Sequence, residues 1–349
     1  MNVRIQELNI PLKHPFAYFL NTLTSLPYAL VEVETPQGLV GKGEAPCAID
    51  INGELSESAP NLAPYIAHAM QKFDLDAISS IEEVAAIMRH IDLVIALNAA
   101  TKCGVEQALF DILAQKTGKT LADIFGARKE TVKVQGNIAF LADADEYERT
   151  ITEMLAKGPD YVKFKIGRNT ALEAQAMCML RSMAPNVGIT VDANQAFGTS
   201  EEAAAFLRTV EDVRLSWAEQ LIGKHDLDGW KDLRTKTAVP LMADESVQSI
   251  TDALLFMQNG WIDILNLKIG KCGGVIEARK IARLADEFEI PVMLGSMLEG
   301  ELGTKYNLAF ALSEPFVTHD FYHYFSLAEL PAKPLIDPET LHTTKTLLT

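Results

Sequence analysis

The stretches Tyr161-Val-Lys-Phe-Lys165, Thr190-Val-Asp-Ala-Asn194, Trp217-Ala-Glu-Gln220, Leu241-Met-Ala-Asp-Glu245 and Leu265-Asn-Leu-Lys268 decide how this chain reads. Each is a short apolar run ending at or beside a charged residue. They recur every roughly 25 to 30 residues, the pitch of a strand–helix repeat. Taken as parallel strands, they set Asp192, Glu219 and Asp244 side by side at their C-terminal ends. Lys163 and Lys165 then stand to one side and Lys268 to the other.

Outward from that block the alternation continues. Strands are expected over 132–138, 161–166, 189–194, 215–220, 240–245, 264–269, 291–296 and 316–320, with helical intervals between them. This is an α/β pattern, a (β/α)7β TIM-like barrel over residues 119–321, with its active site at the strands' C-terminal ends. Residues 1–118 read differently, as an N-terminal α+β capping domain. Antiparallel strands over 3–10, 28–35 and 39–44 share the turn Thr35-Pro-Gln-Gly38, and helical patterns follow over 59–71, 80–91 and 99–118. The tail, 322–349, is expected to return to the capping domain.

Composition narrows the function classes. With 349 residues, 48% apolar and 22% charged, the chain has the makeup of a globular enzyme. That length suits a barrel of about 200 to 250 residues plus a smaller unit. A formal net charge of −16 excludes a nucleic-acid partner, whose phosphates need a basic surface. A small anionic substrate is not excluded, because local lysines and a metal outweigh a distant acidic surface. Cys47, Cys103, Cys178 and Cys272 are scattered, as expected of reduced thiols. The first ten residues alternate like a strand and lack a signal peptide's apolar core. No apolar run is long enough to cross a bilayer, so a cytoplasmic protein without a membrane partner is expected.

Side chains alternate along a strand, so Lys163 and Lys165 share a face, as do Asp192 and Asn194. Repulsion between the two lysines is expected to lower both pKa values toward those of general bases. Asp192, Glu219 and Asp244 on neighbouring strands would repel without a cation, and their all-oxygen donor set suits Mg²⁺, with Mn²⁺ an alternative. Glu245 is expected to point away from Asp244 by pleating, and Lys271 to be an ordinary loop lysine. A substrate carboxylate held between Lys165 and Lys268 is placed for proton removal at its α-carbon, the cation offsetting the enediolate charge. A Schiff-base aldolase is a different use of barrel lysines, which the adjacent acids disfavour. Gly41-Lys-Gly43 does not open a helix and is no dinucleotide site, and Gly270-Lys-Cys-Gly-Gly274 lacks the ending of a Walker loop.

KFK at 163–165, VDANQ at 191–195, AEQ at 218–220, ADES at 243–246 and LKIGKCGG at 267–274 resemble the enolase superfamily, as do GKGEAP at 41–46 and GSMLE at 295–299. Within it the chain is similar to the muconate lactonizing enzyme subgroup. The resemblance implies Lys165 and Lys268 as the two bases, Lys163 as a partner assisting Lys165, and Asp192, Glu219 and Asp244 as Mg²⁺ ligands. Dipeptide epimerases, N-succinylamino acid racemases, o-succinylbenzoate synthases and cycloisomerases share these residues.

The dipeptide epimerases carry an Asp-x-Asp after the last strand, where this chain has Asp320-Phe-Tyr322. Those acting on Ala-Glu have an arginine in the first capping loop, where this chain has Asn21. The resemblance therefore implies a dipeptide epimerase-like enzyme making a 1,1-proton transfer at the C-terminal residue's α-carbon, without an acidic substrate side chain. N-succinylamino acid racemase and o-succinylbenzoate synthase stay open as alternatives. A catalytically silent carboxylate-binding protein is a third, which the intact lysine pair opposes.

Asp320, Tyr322, Met297, Asn21 and Asn194 are the expected substrate contacts, with Glu299 following Met297 toward the substrate. Two loops, 16–26 and 47–57, would set specificity. The aromatic residues Phe16, Tyr18 and Phe19 of the first loop suit core packing, and Asp50 or Glu54 of the second would favour a cationic side chain. His319 and His323 flank the last strand. The implied partner is a small molecule, a dipeptide first, and barrels of this kind are often symmetric homo-oligomers.

Overall fold

A computed structural model describes residues 1–17 and 22–348. Tyr18, Phe19 and Asn21 lie outside the described residues. The chain begins with an antiparallel sheet of β1 (Asn2–Ala17), β2 (Thr22–Glu34) and β3 (Val40–Ala45), in that order. Strand β2 pairs with both neighbours, and its Leu26, Tyr28, Val31 and Val33 are buried. The helix Ala99–Thr117 packs across this sheet. Two glycines of the 41–46 motif set how close it comes. A Cβ on Gly43 would lie 1.9 Å from the Gly104 carbonyl oxygen, and one on Gly41 2.0 Å from that of Ala108. The motif that fails as a dinucleotide loop is thus a helix–sheet contact.

The second half alternates strand and helix as the spacing implies. Strands β4 (Thr131–Lys133) and β5 (Gly136–Ile138) come first. Then follow β6 (Tyr161–Lys165), β7 (Gly188–Asp192), β8 (Trp217–Glu219), β9 (Leu241–Ala243), β10 (Ile264–Leu267), β11 (Val292–Leu294) and β12 (His342–Thr344). Strands β5 to β11 form one seven-stranded parallel sheet in sequence order.

Two expected strands differ from this pattern. The one over 132–138 is split, because β4 pairs antiparallel with β12 of the tail while β5 joins the parallel sheet. The one over 316–320 is too irregular to be a named strand, yet its backbone bridges the two sheet edges. Asp320 N–H donates to the Leu294 carbonyl, and the His319 carbonyl accepts from Gln135 N–H. These bonds join the edge at β11 to the chain just before β5, giving the curled sheet its barrel form.

The barrel floor is a small apolar cluster of Trp217, Met242, Ile264 and Met293, with the Tyr161 ring tilted against Trp217, centroids 4.9 Å apart. Polar inward-facing residues occupy the levels above it. The tail touches both parts of the chain. Ala328 N–H donates to Pro11 of β1, and Lys345 pairs with Asp123 at 2.6 Å.

Two buried glutamates from the first third reach into the last. The Glu44 carboxylate accepts from Gly300 N–H and Gly303 N–H (2.7 and 3.1 Å) at the start of helix Glu301–Ala311. The Glu106 carboxylate accepts from Val275 N–H, beginning helix Val275–Glu287, and from Tyr306 O–H at 2.6 Å. Each places a negative charge at a helix N-terminus, where unpaired N–H groups favour it. No helix among the described residues is long and apolar enough to cross a membrane.

Candidate active site

The site is built by strand register. Lys165 pairs with Asp192 across β6 and β7, and Asp192 with Glu219 across β7 and β8, so three inward charges sit in one row. Asp244 follows one residue beyond β9, and Lys268 one beyond β10. Asp192, Glu219 and Asp244 are all essentially without solvent exposure (1%, 0% and 0%).

The lysines and acids are interlocked. Lys165 Nζ donates to Asp192 Oδ2 at 2.6 Å and to Asn194 Oδ1 at 2.7 Å. Lys163 Nζ reaches Asp192 at 3.4 Å and Glu219 at 3.3 Å, and forms its shortest contact with Asp320. Lys268 Nζ lies 2.6 Å from Asp244 Oδ2. Among the described residues, no three acid, histidine or cysteine groups are already drawn together as a metal cage. Each of the three carboxylates instead faces an ammonium group.

The donor chemistry still fits a hard divalent cation. Glu219 is pushed up to about 8 by burial and by the neighbouring Asp192 charge, so the row carries more negative charge than its surroundings comfortably hold. An oxygen-only set of three carboxylates suits Mg²⁺.

The expectation that lysine–lysine repulsion lowers the pKa is corrected for Lys163. For Lys163, burial pulls the pKa down, but Asp320, Glu219 and Asp192 outweigh it and hold the group well above its ordinary value. Lys268 is likewise raised, its burial offset first by Asp244 and then by Glu245. Carboxylates packed among the lysines, invisible in a Lys-x-Lys dipeptide pattern, decide the sign.

Two further expectations fail for one reason. Pleating does not carry Glu245 away, because β9 ends at Ala243 and the chain turns at once. Glu245 lines the same cavity as the lysines, and Asn194 Nδ2 donates to its Oε1 at 3.1 Å. Lys271 is no loop lysine. It is 2% exposed, and its Nζ lies 2.6 Å from Asp244 Oδ1 and also donates to the carbonyls of Asp244 and Asn266. Asn266, unassigned from sequence, donates from Nδ2 to Glu219 Oε1 at 2.6 Å. Its spacing of two from Lys268 was the available signal.

Above the charged row is a cavity of about 170 Å³. Lys163, Lys165, Lys268, Asp192, Asn194, Glu245 and Asp320 face it from the barrel, with Met297 and His323 beside them. Its outer wall is mostly apolar, including Phe16, Leu23, Ile49, Leu55 and Leu298, with Asp50, Ser56 and Glu57 among them. Tyr322 turns into an adjoining cleft that Lys165 also lines, its ring 5.8 Å from Lys157 Nζ. Glu299 is buried outside the cavity, holding Met297 N–H at 3.0 Å.

Glu54 lines the cavity, but its carboxylate is engaged by Ala100 N–H, Thr101 N–H and Thr101 O–H, so it caps a helix and is not held for a cationic ligand. His319 packs outside the cavity, bonded to the Lys133 carbonyl. His323 bonds Ser296 Oγ at 2.8 Å, and burial lowers its pKa to about 4, so it stands neutral at the wall.

Comparison with known proteins agrees with this geometry. Residues 146–344 match the family model described as enolase C-terminal domain-like. Residues 1–126 match the mandelate racemase / muconate lactonizing enzyme N-terminal domain. The chain belongs to the enolase superfamily. This enolase-superfamily chain is 30% identical over 330 residues to the L-Ala-D/L-Glu epimerase of Bacillus subtilis, covering 91% of this chain and 86% of that one. It is 26% identical over 322 residues to the N-succinyl-L-Arg/Lys racemase of Bacillus cereus, covering 90% and 85%. The dipeptide epimerase of Enterococcus faecalis, solved with Mg and the dipeptide L-Leu-L-Tyr, superposes with a TM-score of 0.83 at 26% identity, covering 98% and 96%.

Proposed function

We propose that this chain is a Mg²⁺-dependent epimerase of dipeptides with apolar side chains, an isomerase working at the α-carbon of the C-terminal residue. The observation that carries the reading is the placement of Lys165 and Lys268 at one cavity, on β6 and just beyond β10, with Asp192, Glu219 and Asp244 on the strands between. Two lysines flanking a carboxylate-binding centre supply a base for each face of a bound α-carbon. Relatives that act as epimerases and racemases support the same class of chemistry.

Asp192, Glu219 and Asp244 would hold the metal. When bound, Mg²⁺ supplies positive charge opposite the substrate carboxylate, easing loss of the α-proton. Lys165 takes or returns the proton on one face, and Lys268 does so on the other. Lys163, held by Asp320, Glu219 and Asp192, stays charged and fixes the acids around it. Burial of the row keeps water from competing for the exchanged proton.

The substrate class follows from the lining. The cations at the cavity among the described residues are Lys163, Lys165 and Lys268, each engaged by a carboxylate. None is left for an acidic side chain, whereas Phe16, Leu23, Ile49, Leu55 and Leu298 offer apolar area. Asp320, at the cavity wall, would share its carboxylate between Lys163 and a dipeptide's ammonium. Incubation with Mg²⁺ and panels of L,L-dipeptides and N-succinylamino acids, followed by chiral chromatography, tests this. Epimers of apolar dipeptides are expected, and racemisation confined to N-succinylamino acids would overturn it.

A further inference from the structure

Lys165 has two acceptors within reach, and one of them owes its orientation to a residue the proposed proton transfer does not use. Lys165 Nζ donates to Asp192 Oδ2 and to Asn194 Oδ1. A neutral amine has two N–H bonds and one lone pair. With both hydrogens committed to those acceptors, the lone pair is left for the cavity, where an α-proton would lie. This geometry requires Asn194 to present its carbonyl oxygen, not its amide nitrogen, to the lysine.

The local backbone does not settle that choice. Asn194 lies in the left-handed region, with φ 42°, its N–H fixed by Asp192 Oδ1 at 2.9 Å, and its carboxamide would otherwise be free to turn over. Glu245 settles it. A carboxylate is an acceptor only, so Oε1 at 3.1 Å from Nδ2 admits one orientation of the amide. Glu245 is 3% exposed, and its other oxygen, Oε2, has no hydrogen-bond partner. It therefore stands at the wall between the lysine cavity and a second cavity of about 640 Å³.

We infer that Glu245 is a positioning residue for Lys165, acting through Asn194 to aim one of the two bases and not the other. The inference rests on the epimerase reading for its kinetic consequence. Lys268 takes its place from Asp244, and Glu245 bears on it by charge and not through Asn194, so an acceptor lost at 245 should reach the orientation of the two bases unequally.

The test is α-proton exchange in D₂O with each epimer supplied separately, under Mg²⁺. Lys165→Ala identifies the epimer whose proton leaves through Lys165, and Lys268→Ala identifies the other. Glu245→Leu, which removes the acceptor at similar size, should slow exchange through Lys165 by about tenfold or more, the scale of a small misplacement of a reacting group. Exchange through Lys268 should respond only to the lost charge, and so equally in Glu245→Leu and Glu245→Gln. Glu245→Gln retains an acceptor for Asn194 and should restore most of the lost rate, with Glu245→Met as a second acceptor-free variant if Leu does not fold.

Equal slowing of both epimers, no slowing, or failure of Gln to rescue would overturn the inference. Exchange of neither epimer by the unaltered enzyme would instead sink the epimerase reading. Crystal structures then decide the positioning role by themselves. Loss of the Lys165–Asn194 contact in Glu245→Leu upholds it, and a contact retained at its present 2.7 Å contradicts it.

Discussion

Lys271 Nζ sits 2.6 Å from Asp244 Oδ1, on the opposite oxygen from the one Lys268 holds. Asp244 is thereby fixed at both oxygens, and the two lysines hold its carboxyl well below the usual carboxylate range despite burial. Replacing Lys271 with Met leaves Asp244 Oδ1 without its donor and takes one of two donors from the Asp244 carbonyl. A loss of about 2–4 kcal/mol in urea unfolding is expected, the usual cost of breaking one side of a buried pair. An unchanged midpoint would show that Lys271 is dispensable.

Metal binding should register on stability as well as on rate. A ligand that binds only the folded chain raises its melting temperature, by mass action. Mg²⁺ should raise Tm, EDTA should reverse it, and Asp244→Asn should abolish the response. A melting curve indifferent to Mg²⁺ in the unaltered protein would argue that these carboxylates need no cation beyond their lysines.

Much of this was legible in sequence because its signal is periodic. Strand pitch put Asp192, Glu219 and Asp244 on adjacent strands, and period-two alternation put Lys163 with Lys165. What escaped depends on the chain just past a strand, where alternation stops applying. Glu245 and Lys271 both lie there, and both turn inward. Charge balance escaped as well. The Lys-x-Lys spacing shows a like-charge pair, whereas Lys163 meets Asp320 from a segment 157 residues away. An Asp320→Asn swap consequently does not isolate an ammonium contact, since Lys163 loses a partner at the same time.

Glu44 and Glu106 make stability depend on pH in a defined direction. Burial, the leading cause for each, raises both to about 7, from an ordinary 4.5. Between those two values the folded chain binds more protons than the unfolded chain, so stability falls as pH rises through about 4.5 to 7 and levels off above. Each contributes a loss on the order of 3 kcal/mol across that window. Glu44→Gln removes one titration, and its Tm should fall less between pH 5 and 8 than that of the unaltered protein. Parallel curves would show that Glu44 is ionised throughout.

Substrate preference follows from the apolar wall. An acidic side chain placed against Ile49, Leu55 and Leu298 would lose water without gaining a cation. L-Leu-L-Tyr or a similar dipeptide should exceed L-Ala-L-Glu in kcat/KM by about tenfold or more, the scale of one unpaired polar group in a binding site. Equal values would place the substrate side chain away from this wall.

The most direct measurement follows deuterium entering the α-carbon of the C-terminal residue of an apolar dipeptide, in D₂O with Mg²⁺, by mass spectrometry. Two opposed bases predict uptake from either epimer, loss of all uptake in EDTA, and uptake from a single, opposite epimer in each of Lys165→Ala and Lys268→Ala. Uptake that survives undiminished for both epimers in either variant, or that never occurs with the unaltered enzyme, would contradict the two-base account.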